Sequence, residues 1–246
     1  MFLAWLLVVW ALKASVQGSR IESRVVNASP TADDEKRLAA EAAAELVESG
    51  MTVGLGTGST VAHLLPALAR RGLIDLRCVA TSVATEDQAR SLGIPVEDFD
   101  RLGRLDIAID GTDEVTPDGW LIKGGGGAHL REKIVAAAAD RFVVIADSSK
   151  PVDTFTWPIP LELFAFGLAS TLARLGGDVT LRPDTPPSPD GGLIADYRGP
   201  GREDPASLME RLEGDPGVAA QGLFPPSLVS EIFVARGNDV ERLTIG

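Results

Sequence analysis

Short apolar runs, each closed by glycine, aspartate or hydroxyl residues and followed by a helix-forming stretch, repeat through residues 51–147. Met51 to Gly56 leads into Thr57-Gly58-Ser59-Thr60, and a helical pattern begins near Val61. Leu76 to Ala80, Leu105 to Asp110 and Phe142 to Ala146 read as further strands. Helices fall near Thr85 to Leu92 and from about His129 to Ala139. Strands alternating with helices predict an α/β protein built on a doubly wound, mostly parallel sheet, Rossmann-like in class and covered on both faces. Ligands of such sheets lie beyond the carboxyl ends of the strands. A first helix is expected over Lys36 to Glu48, capped by Thr31 and Asp34 and stopped by Gly50. Pro66 is expected to kink or shorten the helix that holds it.

The texture changes after Lys150. Pro151, Pro158 and Pro160 interrupt the chain, and Leu161 to Leu175 reads as a helix. Asp178 to Leu181 and Gly192 to Tyr197 are short strands, Pro205 to Leu212 a helix, and Val218 to Phe224 a strand. These pieces predict a second, smaller α+β domain over residues 158–225. The Rossmann-like domain then comprises residues 31–157 plus 226–246, rejoined through Glu231 to Ala235.

Residues 1–30 read as an N-terminal extension. Met1 to Leu12 is uncharged and apolar, long enough for a signal-peptide core but too short for a bilayer, and it lacks a basic start. A signal-like segment and an upstream translated extension both fit. The expected location is cytoplasmic, with no membrane contact for the mature domain, and the apolar run leaves an organellar or exported form open. Asn27-Ala28-Ser29 fits a glycosylation acceptor, relevant only in a eukaryotic secretory route.

Charge narrows the partners. Lys and Arg number 23 against 35 Asp and Glu, a formal net charge of -12, so a broad basic face for nucleic acid is not expected. An anionic ligand must be held locally, by a few lysines and backbone N–H groups. The single cysteine, Cys78, precludes an internal disulfide and reads as a buried, inert thiol. Two histidines, His63 and His129, are too few for a histidine-based metal site.

Four segments at predicted strand ends can carry chemistry. Gly54 to Thr60 is a glycine turn opening a helix, a place where freed N–H groups and the positive helix end suit a phosphate. No lysine follows Gly58, against a P-loop, and Ser59 stands where a dinucleotide fingerprint wants glycine. Asp110-Gly111-Thr112-Asp113-Glu114 brings two carboxylates together, able to move protons between hydroxyls or to bind a divalent cation; solvated turn residues would look the same. Lys123 precedes four consecutive glycines, Gly124 to Gly127, whose N–H groups can line up on an oxyanion beside the ammonium. Asp147 to Lys150 ends the strand Phe142 to Ala146, and Lys150 fits either a phosphate contact or a solvated loop. Arg131-Glu132-Lys133, taken alone, reads as a solvated helix face.

Together, in this order and spacing, these segments resemble the ribose-5-phosphate isomerase A family. Thr81-Ser82 through Thr85, Ser91-Leu-Gly-Ile94, Asp106 to Glu114, Lys123 to Lys133, Leu175-Gly-Gly177, Gly217-Val218 and Gly222-Leu-Phe224 extend the resemblance from about residue 31 nearly to the end. The resemblance implies an aldose–ketose isomerase of the non-oxidative pentose phosphate pathway, interconverting ribose 5-phosphate and ribulose 5-phosphate through an enediolate. It implies Glu132 as the base between C1 and C2, which replaces the solvated-face reading. Asp110 and Asp113, with Gly111 and Thr112 between them, would match the acidic pair that opens the furanose ring and contacts hydroxyls. Lys123, Gly124, Gly125 and Gly126 would hold the enediolate oxygens. Thr57, Gly58, Ser59, Thr60 and Lys150 would contact the phosphate, and Lys36 falls where family members can place a further lysine. No metal and no redox cofactor are implied. The partners implied are a small sugar phosphate and further copies of the chain, as a dimer or tetramer.

Departures are His129, where an aliphatic residue is usual, and Val234 to Asn238, without the Gly-Thr-Pro-like turn. Two other readings use a similar fold: a non-catalytic sugar-phosphate sensor, and a CoA-transferase-like enzyme or amino-sugar-phosphate deaminase. The sensor would want a helix-turn-helix and a basic face, and the deaminase a histidine for acid–base work.

Overall fold

The computed structural model describes residues 30–199 and 204–245. Met1 to Leu12 and Asn27-Ala28-Ser29 lie outside them. Among the described residues no helix is long and apolar enough to cross a membrane.

Helix α1 (Ala32–Ala44) starts on the expected caps: Thr31 Oγ1 accepts from Asp34 N at 3.2 Å, and Asp34 Oδ2 accepts from Thr31 N at 3.0 Å. It stops four residues before Glu48. The carbonyls of Ala44 and Val47, which a longer helix would use internally, are taken by the Arg71 guanidinium. Buried Ala39, Ala40, Ala43 and Ala44 let α1 lie close to the sheet.

Strand β1 (Thr52–Leu55) leads to α2 (Val61–Arg70), β2 (Arg77–Ala80) and α3 (Val83–Ser91). Pro66 does not end α2, which continues to Arg70. Proline supplies no N–H to the carbonyl four residues back. That carbonyl, Ala62 O, accepts instead from Gln88 Nε2 on α3 at 3.2 Å.

After β3 (Ile107–Gly111) come the two-residue strands β4 (Glu114–Val115) and β5 (Leu121–Ile122), then α4 (His129–Ala138) and β6 (Phe142–Asp147). The central sheet has the order β13-β12-β6-β3-β1-β2, with β12 (Glu231–Arg236) and β13 (Asp239–Thr244) supplied by the C-terminal part. All its pairs are parallel except β12 with β13. Successive residues alternate between two apolar layers, as the pleat requires. Val53, Leu55, Ile107, Ile109, Val143 and Ile145 pack with α1 and α2, while Ala108, Phe142, Val144 and Ala146 pack with Val135 and Ala136 of α4.

The remaining elements build a second sheet, β10-β7-β9-β8, from β7 (Ile159–Leu163), β8 (Val179–Leu181), β9 (Leu193–Tyr197) and β10 (Val218–Gln221). Helices α5 (Leu168–Leu175) and α6 (Pro205–Glu213) contribute Leu175, Leu208 and Leu212 to its apolar cluster. This corrects the helix expected over Leu161 to Leu175. Residues 159–163 are buried and paired on both sides, with Leu161 to Leu163 against β10 and Ile159 to Leu163 against β9. Pro160 hid the strand, since proline argues against one. It is tolerated because it precedes Leu161, where the β10 pairing begins.

The strand expected over Val218 to Phe224 is two strands in two sheets. Gly222 separates β10 from β11 (Leu223–Phe224), which pairs with β5 in the small sheet β11-β5-β4. Gly222 donates its N–H to Pro160 O and accepts from Lys123 N, each at 2.8 Å. The second sheet is thereby joined to the backbone of Lys123.

Candidate active site

From β1 the chain moves outward to β2, then returns to β3 on the other side of β1. The two departures in opposite directions open a crevice at the carboxyl ends of β1 and β3, the usual ligand position in such sheets. The turn after β1 brings Thr57 to Thr60 to one wall, and the turn after β3 brings Gly111 to Asp113 to the other. Lys123 to Gly126, Glu132 and Lys150 complete a cleft of about 110 Å³.

Gly56 permits this closeness. A Cβ there would lie 2.0 Å from Asp110 Oδ1, so only glycine lets the two turns meet. Asp110 is buried beneath the cleft, with Oδ1 accepting from Thr57 N at 3.0 Å and Gly111 N at 2.7 Å. Asp113 is half-buried at the wall, its Oδ2 accepting from Gly125 N at 2.7 Å. The two carboxylates matched to the acidic pair therefore stand in different surroundings, one buried on backbone N–H groups and one half-exposed at the cleft wall.

Lys123 sits at the centre, buried. Its Nζ donates to Gly111 O at 2.6 Å and lies 2.9 Å from Asp110 Oδ2 and 3.2 Å from Glu132 Oε2. Burial alone would lower its pKa, but Asp110 and then Glu132 hold it above the ordinary lysine value. Glu132, only 5% exposed, projects inward from the first turn of α4. Its neighbours point elsewhere: Arg131 pairs with Asp190 at 2.8 Å and Lys133 Nζ donates to Gln221 O at 2.7 Å. Glu132 Oε2 is within ion-pair range of Lys123 yet outside hydrogen-bond geometry, leaving that oxygen without a hydrogen-bond partner among the described residues. Burial pushes Glu132 up to about 8, against the opposing pull of Lys123. Asp110 is also raised, first by burial, with Lys123 and the two N–H donors opposing.

At the other end of the cleft, Ser59 and Thr60 lead into α2, where Ala62 N donates back to Gly58 O at 3.0 Å and His63 N to Thr60 O at 3.1 Å, which keeps the positive helix end and the two hydroxyls at the cleft. Lys150 lines this end, and Lys36 of α1 reaches it by donating to Ser59 Oγ at 3.0 Å. Thr57 Oγ1 is 2.7 Å from Thr81 Oγ1, which stiffens the turn. Small anions fit such a combination of hydroxyls, helix end and ammonium.

Neither histidine lines the cleft. His63 Nε2 lies 3.0 Å from Asp33 Oδ1, and His129 is buried behind Gly124, its pKa held down at about 3 by burial and then by Lys133. Cys78 is fully buried, and burial pushes its thiol up to about 12. Among the described residues, no cluster of His, Cys, Asp and Glu has the arrangement of a metal site.

Two residues that support the site carried no sequence signal. Glu35 on α1 accepts from Ser148 N at 2.9 Å and Gly237 N at 2.6 Å, tying the Lys150 turn to the β12–β13 turn. Arg182, in a Pro/Asp-rich loop of the second sheet, reaches the carbonyls of Gly124 and Gly125. The first helix was expected from Lys36, one residue after Glu35, and neither Glu35 nor Arg182 was given a role.

Residues 77–239 match the family model described as ribose 5-phosphate isomerase A (phosphoriboisomerase A). The chain is 46% identical over 226 residues to a ribose-5-phosphate isomerase A of Caulobacter vibrioides, covering 87% of this chain and 99% of that one. Its structure is similar to a ribose 5-phosphate isomerase A from Neisseria gonorrhoeae, with a TM-score of 0.84, 32% identity, and 89% and 100% of the two chains covered. It is also similar to a D-ribose-5-phosphate isomerase in complex with phospho-erythronic acid, with a TM-score of 0.82, 31% identity, and 87% and 100% covered.

Proposed function

Because the chain belongs to the ribose 5-phosphate isomerase A family, we propose that Glu132 is the base of its reaction and that Lys123 and the glycine turn carry the charge that develops. The activity is the interconversion of D-ribose 5-phosphate and D-ribulose 5-phosphate, an aldose–ketose isomerisation of the pentose phosphate pathway. The observation that carries the site assignment is the buried triad Asp110–Lys123–Glu132 at the cleft, with Glu132 Oε2 lacking a hydrogen-bond partner among the described residues.

The chemistry follows from the arrangement. In the open-chain aldose the proton on C2 is the acidic one, and removing it turns the C1 carbonyl into an enediolate. Glu132 takes that proton and returns it to C1 while the hydroxyl proton on O2 passes to O1, giving the ketose. A positioned base with a pKa near the working pH contributes typically about 10²–10⁴-fold. Two of the three Lys123 ammonium protons are committed to Gly111 O and Asp110 Oδ2, leaving the third for a substrate oxygen. In the glycine turn the Gly125 and Gly127 N–H groups are taken by Asp113 Oδ2 and Gly124 O, so the Gly126 N–H supplies the rest of the oxyanion stabilisation. Asp113, at the wall, is the carboxylate placed to move a hydroxyl proton in ring opening, whereas Asp110 orients Lys123. Ser59, Thr60, the α2 terminus, Lys150 and, through Ser59, Lys36 hold the phosphate, so that C2 meets the base. Phospho-erythronic acid in the related structure is a sugar-acid phosphate, a ligand of the same chemical class.

The decisive experiment is the isomerase assay on Glu132→Gln with excess EDTA present throughout. The parent is expected to convert ribose 5-phosphate at full rate in EDTA, and Glu132→Gln to fold normally and lose about 10²–10⁴-fold or more in kcat. Near-parental turnover by the variant removes Glu132 from its role, and loss of parental activity in EDTA removes the metal-free chemistry.

We also infer that residues 158–225 form a separate unit, supported by their own sheet and apolar cluster. The inferred assembly is a dimer or tetramer, supported by exposed aromatic side chains on that unit; Phe166 is 96% exposed and Phe164 52%. A cytoplasmic location is proposed from the sequence alone.

A further inference from the structure

Arg182 follows β8, belongs to the second sheet rather than the one that carries the cleft, and is not among the residues that line the cleft. Its Nε and Nη2 grip Asp196 at 2.8–3.1 Å, and both side chains are largely buried, 16% and 17% exposed. Nη1 is left to donate to Gly125 O at 2.8 Å and Gly124 O at 3.2 Å. Asp196 meets the charge of the guanidinium, and the two glycine carbonyls take a donor that would otherwise be buried without one.

A trans peptide is planar, so its carbonyl and the following N–H point in opposite directions; no peptide here is cis. In the Gly124–Gly125 peptide the carbonyl faces Arg182 and the N–H faces Asp113 Oδ2, at 2.7 Å. In the Gly125–Gly126 peptide the carbonyl again faces Arg182, so the Gly126 N–H is directed away from Arg182. Gly125 and Gly126 line the cleft, and the Gly126 N–H donates to no protein atom among the described residues. The Gly124–Gly125 peptide is held by the turn itself, since Gly127 N donates to Gly124 O at 2.9 Å and Gly125 N to Asp113 Oδ2, and the His129 ring stands 2.6 Å from where a Gly124 Cβ would be. The Gly125–Gly126 peptide joins two glycines without side chains. Among the described residues its carbonyl accepts from Arg182 Nη1.

We propose that Arg182 is a positioning residue for the isomerisation: by holding the Gly124 and Gly125 carbonyls, it aims the Gly126 N–H at the developing enediolate. A cation on the carbonyl also polarises the peptide and strengthens the N–H as a donor. Lysine cannot replace it, because one ammonium cannot present a planar fork to Asp196 and two carbonyls at once. The proposal rests on the reading of the glycine turn as the surface that meets the enediolate.

The test compares full-length Arg182→Ala, Arg182→Lys, Glu132→Gln and the parent in the ribose 5-phosphate assay, with thermal melts on each. Arg182→Ala is expected to lose about 10- to 100-fold in kcat with KM changed by no more than about threefold, because the phosphate contacts are intact. Millimolar guanidinium is expected to restore part of its turnover and none of that of Glu132→Gln, a rescue that a purely structural strut would not show. Arg182→Lys is expected to fall between Ala and the parent. A kcat for Arg182→Ala within about twofold of the parent, or a loss confined to KM, overturns the proposal. Should Arg182→Ala fail to fold, Arg182→Lys decides, and parental kcat in that variant overturns it. Near-parental Glu132→Gln sinks the site reading itself, whereas an inactive Glu132→Gln beside an unaffected Arg182→Ala sinks only the role of Arg182.

Discussion

Lys123 and the two carboxylates beside it place one cation between two potential anions in a region almost closed to water. Truncating the cation leaves both carboxylates without a partner, and breaking a buried pair in this way costs about 3–5 kcal/mol. Lys123→Met is therefore expected to lower stability by roughly that amount as well as to abolish turnover. The deficit has a pH dependence whose sign follows from the raised pKa values of Asp110 and Glu132. A carboxylate that holds its proton more tightly folded than unfolded loses stability as pH rises from its unfolded pKa through its folded one. Denaturant melts of Lys123→Met should thus show the deficit growing from acid toward neutral pH, and a deficit that shrinks would contradict the buried charge balance. Activity has the opposite slope, because the base works only when deprotonated. The acid limb of kcat/KM is expected well above the free glutamate range. Asp110 is one of the groups that raises Glu132, so Asp110→Asn should move that limb to lower pH, and an unmoved limb would uncouple the two residues.

Helix α1 does more than cover the sheet. Its capping box fixes the first turn, and that turn aims Glu35 at two backbone N–H groups and Lys36 at Ser59. Glu35 has its pKa lowered, first by its bond with Ser148 and then by Gly237, so its support is present above the unfolded pKa and is lost as pH falls through the folded one. Glu35→Ala is expected to loosen the turn that carries Lys150, raising KM for ribose 5-phosphate several-fold while kcat changes less, as measured in steady-state assays; a kcat-only loss would speak against a phosphate-side role. Helix α4 acts differently, by presenting Glu132 inward while Arg131 and Lys133 are bound outward. A one-position slip of that helix would exchange base and cation, which makes its packing against β3 and β6 a condition of the chemistry.

Over the whole chain, a net charge of -12 coexists with an anionic substrate, so the cleft depends on local positive charge from Lys36, Lys150 and Lys123. The exposed aromatics of the second unit predict association, and light scattering of the purified protein should give a multiple of the chain mass; a monomer at micromolar concentration would refute the inferred dimer or tetramer. Local chemistry was readable from the residues alone wherever a pattern has one physical outcome: glycine turns at strand ends, Thr31 as a cap, apolar runs that must be covered on both faces. The four turns were legible as strand ends for that reason, whereas Glu132, which alone reads as a solvated helix face, was joined to them only through the resemblance carried by the order of the motifs. Reading failed where two elements compete for the same residues. Pro160 concealed β7, whose pairing with β9 and β10 outweighs local preference. The different surroundings of Asp110 and Asp113, and the contacts of Glu35 and Arg182, arise between segments distant in the chain. Short-range propensity belongs to neighbours along the chain, but which carboxylate loses its water and which carbonyl meets a guanidinium depends on packing in three dimensions, where neighbours come from everywhere.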